Sequence, residues 1–167
     1  PWPAFSCFRA LLFVSALMCS IAKIDPTEWS RSKQLHSDFL LAWTIADERI
    51  RVGIQAKAAG WVGFGVSEAG GMKGADVMYY EVASGQLVDA YAMGNEKPTV
   101  DACQSWVLQS GKQEDGFIVV EAYRKLDTGD SQDWAIVDDS NTTQGTAYIA
   151  AWGDTPEMMY HAMNRAK

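Results

Sequence analysis

Two side chains in this sequence carry chemistry that their surroundings do not explain. Met72 stands in Gly70-Gly71-Met72-Lys73-Gly74, where no periodic apolar face claims it as a core residue. His161 stands in the run MMYHAMN and is one of two histidines, the other being His36. A thioether and an imidazole together make an axial ligand pair for haem iron, a pair that raises the reduction potential. Each residue type also serves structure alone in most proteins. Other chemistries find less support. Two histidines and one thiol outside the N-terminal apolar stretch cannot build a copper or zinc site without carboxylate help. The sequence has no G-x-S-x-G, no H-E-x-x-H and no P-loop. The glycines around Met72 do not open a helix, which speaks against a phosphate cradle. Asp127-Thr128-Gly129 matches the triplet of an aspartic protease, but it follows Arg124-Lys125 at a strand end and is not repeated. It reads as a turn, with Asp supplying local hydrogen bonds and Gly a positive φ.

The elements that must position Met72 and His161 are strands. From residue 38 the apolar period is two: Phe39, Leu41, Trp43 and Ile45 alternate, then Ile50, Val52, Ile54 and Ala56, with a turn at Ala46-Asp47-Glu48 between them. Residues 61–66 (WVGFGV) form a third strand whose glycines suggest close backbone approach or a bulge. Further strands are expected over 75–82, 86–92, 105–109, 117–124, 134–137 and 146–152. Many short strands with little helical pattern between them indicate an all-β sandwich or barrel. Residues 23–33 are polar and irregular, and residues 23–36 read as a leader into a domain spanning 37–167.

The composition excludes some partners. The 167 residues are 48% hydrophobic and 21% charged, a globular mixture, with a net charge of −7. That charge repels nucleic acid and anionic membranes. Residues 1–22 read as a signal peptide: Arg9 supplies the basic region, residues 10–18 a short apolar stretch, and Ser20-Ile21-Ala22 the small residues before a cut at Lys23. Cys7 and Cys19 fall in that segment, which leaves Cys103 alone, either buried and inert or paired outside the domain. Asn141-Thr142-Thr143 is a glycosylation sequon that suits a surface loop of a secreted glycoprotein. No other apolar run approaches spanning length, so no membrane insertion is expected of the mature domain.

Several motifs then occur in a recognisable order. Residues 60–80 read GWVGFGVSEAGGMKGADVMYY, followed by Val88-Asp89-Ala90-Tyr91, by Pro98, Asp101 and Trp106, by RKLDTGD over 124–130, by YIAAWGD over 148–154, and by Tyr160-His161. This series resembles the DOMON domain found in dopamine β-monooxygenase and its relatives, over about residues 37–165. The resemblance implies an immunoglobulin-like antiparallel β-sandwich in a secreted, extracellular or lumenal protein. Some DOMON proteins, among them the cytochrome domain of cellobiose dehydrogenase, hold haem b between one Met and one His. Met72 and His161 fall where those ligands are expected. The expected role is single-electron transfer beside a downstream redox domain or electron-transfer partner. The KGADV and YHAMNR forms are closer to the monooxygenase branch, which implies the alternative of a non-haem ligand-binding or interaction domain at the N-terminus of a copper monooxygenase-like protein. The resemblance also implies a cation site using the Asp76 carboxylate with carbonyls of Val77 and Ala90. Its second carboxylate would fall at Ser105, a departure that removes an anionic ligand. No catalytic centre is evident in the chain.

Overall fold

The structure, a computed structural model, describes residues 23–138 and 146–167. The expected signal peptide, Cys7, Cys19 and the Asn141 sequon lie outside the described residues. The described residues form eleven strands: β1 (Arg31–His36), β2 (Phe39–Ala46), β3 (Arg49–Ala56), β4 (Trp61–Val66), β5 (Asp76–Glu81), β6 (Gln86–Tyr91), β7 (Thr99–Val100), β8 (Val107–Glu114), β9 (Phe117–Lys125), β10 (Tyr148–Gly153) and β11 (Arg165–Ala166). They pair antiparallel in two sheets, one ordered β1-β2-β3-β9-β8 and the other β11-β10-β4-β5-β6-β7. The fold is the expected antiparallel β-sandwich.

Period-two patterning assigns each face. Phe39 and Leu41 of β2, Ile50, Val52 and Ile54 of β3, and Ile118, Val120 and Ala122 of β9 point into the sandwich from the five-stranded sheet. Val62, Phe64, Met78, Tyr80, Ala150 and Trp152 meet them from the six-stranded sheet. Both sheets are also covered on part of their outer faces. Ile24 and Trp29 pack on Ala42 and Val119 outside the five-stranded sheet, the indole lying over Gly53. Outside the six-stranded sheet a second apolar layer is built from Trp61, Val77, Tyr79, Ala90 and Met158, with Met72, Ile149 and Ala151 against it.

Three departures from the sequence reading have physical causes. The segment read as an irregular leader holds β1. Its sequence RSKQLH is mostly exposed because it is an edge strand, so it has no alternation to read. The strand expected over 105–109 starts two residues later and runs on to Glu114, a second polar edge strand. The strand expected over 134–137 does not form. There the Trp134 N–H goes to Asp76, the Trp134 carbonyl accepts from Arg124, and the Ile136 N–H goes to Leu126, leaving none of these groups for a ladder. The expected turn at 127–130 is present: the Asp127 carboxylate accepts from Gly129 N–H at 2.9 Å, and Gly129 has φ 75°.

Candidate functional site

Met72 sits in the connection from β4 to β5. That connection turns back on itself at Gly70 and Gly74, both with positive φ. It is pinned at three points: the Ser67 hydroxyl donates to the Gly71 carbonyl at 2.6 Å, Ala75 N–H to Met72 O at 3.0 Å, and Gly74 N–H to Ala92 O at 2.7 Å. His161 lies in the segment between β10 and β11. Asn164 N–H donates to the His161 carbonyl at 2.8 Å, and β11 then pairs with β10, which returns this segment to the edge of the six-stranded sheet. Met72 and His161 therefore line one pocket of about 610 Å³ on the outer face of that sheet. Two residues far apart in the sequence are brought to one cavity by the sheet between them.

The pocket floor is formed by β4, β5 and β10. Gly63 and Gly65 of β4 present backbone where side chains would otherwise stand, flanked by Val77, Ile149 and Ala151. A Cβ on Gly65 would come within 2.6 Å of Val77 Cγ1 and 3.1 Å of Ile149 Cγ1. The floor is thus glycine backbone and apolar side chains, with Met158 at its side and Tyr160 stacked on the His161 ring at 5.7 Å. The His161 Nδ1 faces the carbonyl of Ala162 at 3.3 Å. A carbonyl accepts only, so that nitrogen carries the proton and Nε2 keeps its lone pair. Burial lowers the His161 pKa, and the charge of Arg165 pushes the same way, against the raising effect of the Ala162 hydrogen bond. The imidazole is held neutral, the form that binds a metal. Pocket shape, donor set and protonation state all fit a flat, apolar macrocycle with a Met/His ligand pair.

Asp76 belongs to a different place. Successive residues of β5 point to opposite faces, so Val77 lines the pocket while Asp76 points into the sandwich. There it forms a buried ion pair with Arg124 of β9, Oδ2 to Nη1 at 2.7 Å, and accepts from Trp134 N–H at 3.1 Å. Asp89 of β6 and Asp133 lie beside it, with carboxylate oxygens of all three within 4.8 Å of one another. One oxygen on each (Asp76 Oδ1, Asp89 Oδ1 and Asp133 Oδ2) is buried without a hydrogen bond. Burial raises the Asp76 pKa to about 6 although Arg124 opposes it, and burial raises Asp89 to about 7. Ser105 contributes no side chain here; its N–H donates to Asp89 Oδ2 at 2.8 Å. Sequence reasoning singled out Asp76 and missed Asp89, Asp133 and Arg124. The available signal was an aspartate and an arginine in phase with the apolar faces of β6 and β9.

Cys103 is exposed and free, and the described residues contain no disulfide. A hydrogen bond to Asp130 raises its thiol pKa above the usual value. No described helix is long and apolar enough to cross a membrane.

Residues 35–148 match the family model of the DOMON domain. The chain is 37% identical over 117 residues to MOXD1 homolog 2 of Drosophila melanogaster, a match covering 67% of this chain and 15% of that protein. It is 32% identical over 102 residues to DBH-like monooxygenase protein 1 of Homo sapiens, covering 60% of this chain and 17% of that protein. The chain thus spans less than a fifth of the length of either relative. Among solved structures, the cytochrome domain of Myriococcum thermophilum cellobiose dehydrogenase superposes with a TM-score of 0.47 at 12% identity, covering 77% of this chain and 74% of that one. The family model takes in β2 through β9 and the start of β10, the strands that floor the pocket and enclose the acidic cluster, and the chain belongs to the DOMON domain family.

Proposed function

We propose that this chain is an extracellular or lumenal electron-transfer module that holds haem b between Met72 and His161, as part of a larger redox protein. The observation that carries the reading is that those two side chains line one largely apolar pocket. Bound haem would supply one-electron chemistry. Met72 and His161 would hold it, and the chemistry supplied would be electron transfer and not substrate activation. The chain's own residues do the rest. Gly63 and Gly65 clear the floor, Met158 and Ile149 exclude water, and the Ala162 carbonyl fixes the tautomer that leaves His161 Nε2 free. Protein supplied with haem is expected to show a Soret band and a low-spin b-type spectrum. His161→Ala should lose haem on gel filtration, and Met72→Ala should keep it at a lower reduction potential. A folded, haem-supplied protein with no Soret band would overturn the reading.

The second reading is a non-haem ligand-binding or interaction domain of a copper monooxygenase-like protein, with the catalytic residues elsewhere. The names of the two relatives, and the small share of each that the chain spans, favour it. A well-folded protein that stays colourless with haem yet binds an apolar aromatic ligand in the same pocket would select it.

We also propose that Asp76 helps bind a hard divalent cation, with Asp89 and Asp133 as its partners. Asp76 Oδ1 and Asp89 Oδ1 are buried without a hydrogen bond, and Asp133 Oδ2 meets Arg124 Nη1 only as an ion pair at 3.5 Å; such carboxylate oxygens are donors of the kind calcium prefers. Calcium should raise the melting temperature of the wild type and not that of Asp89→Asn.

A further inference from the structure

The pocket differs in charge from the rest of the molecule. The sequence has 21 acidic and 14 basic residues, yet among the described residues no Asp or Glu lines the pocket of Met72 and His161, while Arg165 and Lys167 do. A smaller pocket of about 240 Å³ shares Gly70 and Lys167 with it and adds Lys33 of β1, again with no acidic side chain among the described residues. Among the described residues, none of these three cations forms an ion pair. They stand on neighbouring edges, with β11 pairing to β10 and touching β1. In a chain of net charge −7, an apolar floor whose described charged side chains are all basic is an arrangement that attracts an anion. Arg165 is also close enough to lower the His161 pKa, so its charge is felt inside the pocket.

We infer that Arg165 and Lys167, supported by Lys33, form an anion subsite that selects a ligand with an apolar, flat body and carboxylate groups at one edge. The body lies on Gly63 and Gly65, and the carboxylates reach the margin, where charge-assisted hydrogen bonds form in a partly desolvated setting. The inference rests on the haem reading for the identity of the body, and the carboxylates would then be the propionates. The subsite itself needs no iron, which separates the two claims experimentally.

The test uses three probes on the whole chain: ferric protoporphyrin IX, metal-free protoporphyrin IX, and the dimethyl ester of the metal-free porphyrin. Binding is read by quenching of tryptophan fluorescence. The metal-free diacid is expected to bind, to weaken as salt rises, and to lose roughly tenfold in affinity with Arg165→Gln/Lys167→Gln. The diester should bind the wild type as weakly as the diacid binds the double variant. Both substituted residues are exposed, and circular dichroism should show the fold retained. Should His161→Ala leave ferric porphyrin binding unchanged while the double variant weakens the diacid, the haem ligation fails and the anion subsite stands. Equal affinity for diacid and diester, or a diacid indifferent to the double variant, overturns the subsite.

Discussion

At the scale of single residues, the sequence shows chemistry most clearly where a side chain lacks a structural reason. Met72 among glycines and His161 in the run MMYHAMN both stood out on that ground, and they line one pocket. Cys103 stood out only by being unpaired. Its neighbour Asp130 accepts a hydrogen bond from the thiol and raises its pKa, so the thiolate that would attack a disulfide or an alkylating agent is scarce at neutral pH. Cys103 is exposed, and labelling by iodoacetamide should therefore go to completion but slowly. Asp130→Asn should speed it several-fold at pH 7.5, measured by intact mass against time. A rate unchanged by that substitution would mean Asp130 does not control the thiol.

At the scale of elements, the glycines of β4 separate packing from function. Gly63 and Gly65 both face the pocket, but their surroundings differ. A Cβ on Gly63 would have its nearest neighbour at 3.6 Å, ordinary contact, whereas one on Gly65 would meet Val77 at 2.6 Å and the Asp76 carbonyl at 2.9 Å. Gly63→Ala should keep the melting temperature within a few degrees and still weaken ligand binding, because its methyl group rises from the floor. Gly65→Ala should cost about 1–3 kcal/mol of stability by overpacking, seen in a denaturant titration. The central strands carrying these glycines were legible because each has an apolar face fixed by period two. The edge strands β1 and β8 were not, because neither face of an edge strand is fully buried and alternation disappears. Residues 134–137 misled for the opposite reason. Of their apolar residues only Ile136 packs inward, Trp134 and Val137 being exposed, and their backbone is satisfied by Asp76, Arg124 and Leu126. The pocket itself could not be read from any one element, since its cationic margin arises only when β11 pairs beside β10.

At the scale of the whole molecule, the acidic cluster joins parts that the sheets leave separate. Asp76 and Asp89 belong to the six-stranded sheet, Arg124 to the five-stranded sheet, and Asp133 to the connection from β9 to β10. Trp134, next to Asp133, also donates its indole N–H to the Gly74 carbonyl at 2.7 Å, which ties the cluster to the segment that carries Met72. Three carboxylates face one guanidinium, so in the absence of a bound cation full ionisation leaves uncompensated negative charge inside the sandwich. The folded protein resists this by keeping protons, with Asp76 near pH 6 and Asp89 near pH 7 where an unfolded aspartate titrates at 3.8. Between those limits the folded state binds more protons than the unfolded state, so stability falls as pH rises. Asp25 and Asp130 shift the other way, below 3.8, so their contribution is present above that pH and is lost only as pH falls below it. In EDTA, the unfolding free energy is expected to fall from about pH 4 to pH 7 by on the order of 2–4 kcal/mol. Asp89→Asn should flatten that slope and leave the domain more stable than wild type at pH 7.5. Calcium competes with protons for the same oxygens, so it should restore wild-type stability at pH 7.5 and do little at pH 4.5. Urea titrations across this pH range, with and without calcium, check all three expectations, and a wild-type stability that rises from pH 4 to 7 in EDTA would show that the cluster is not storing protons.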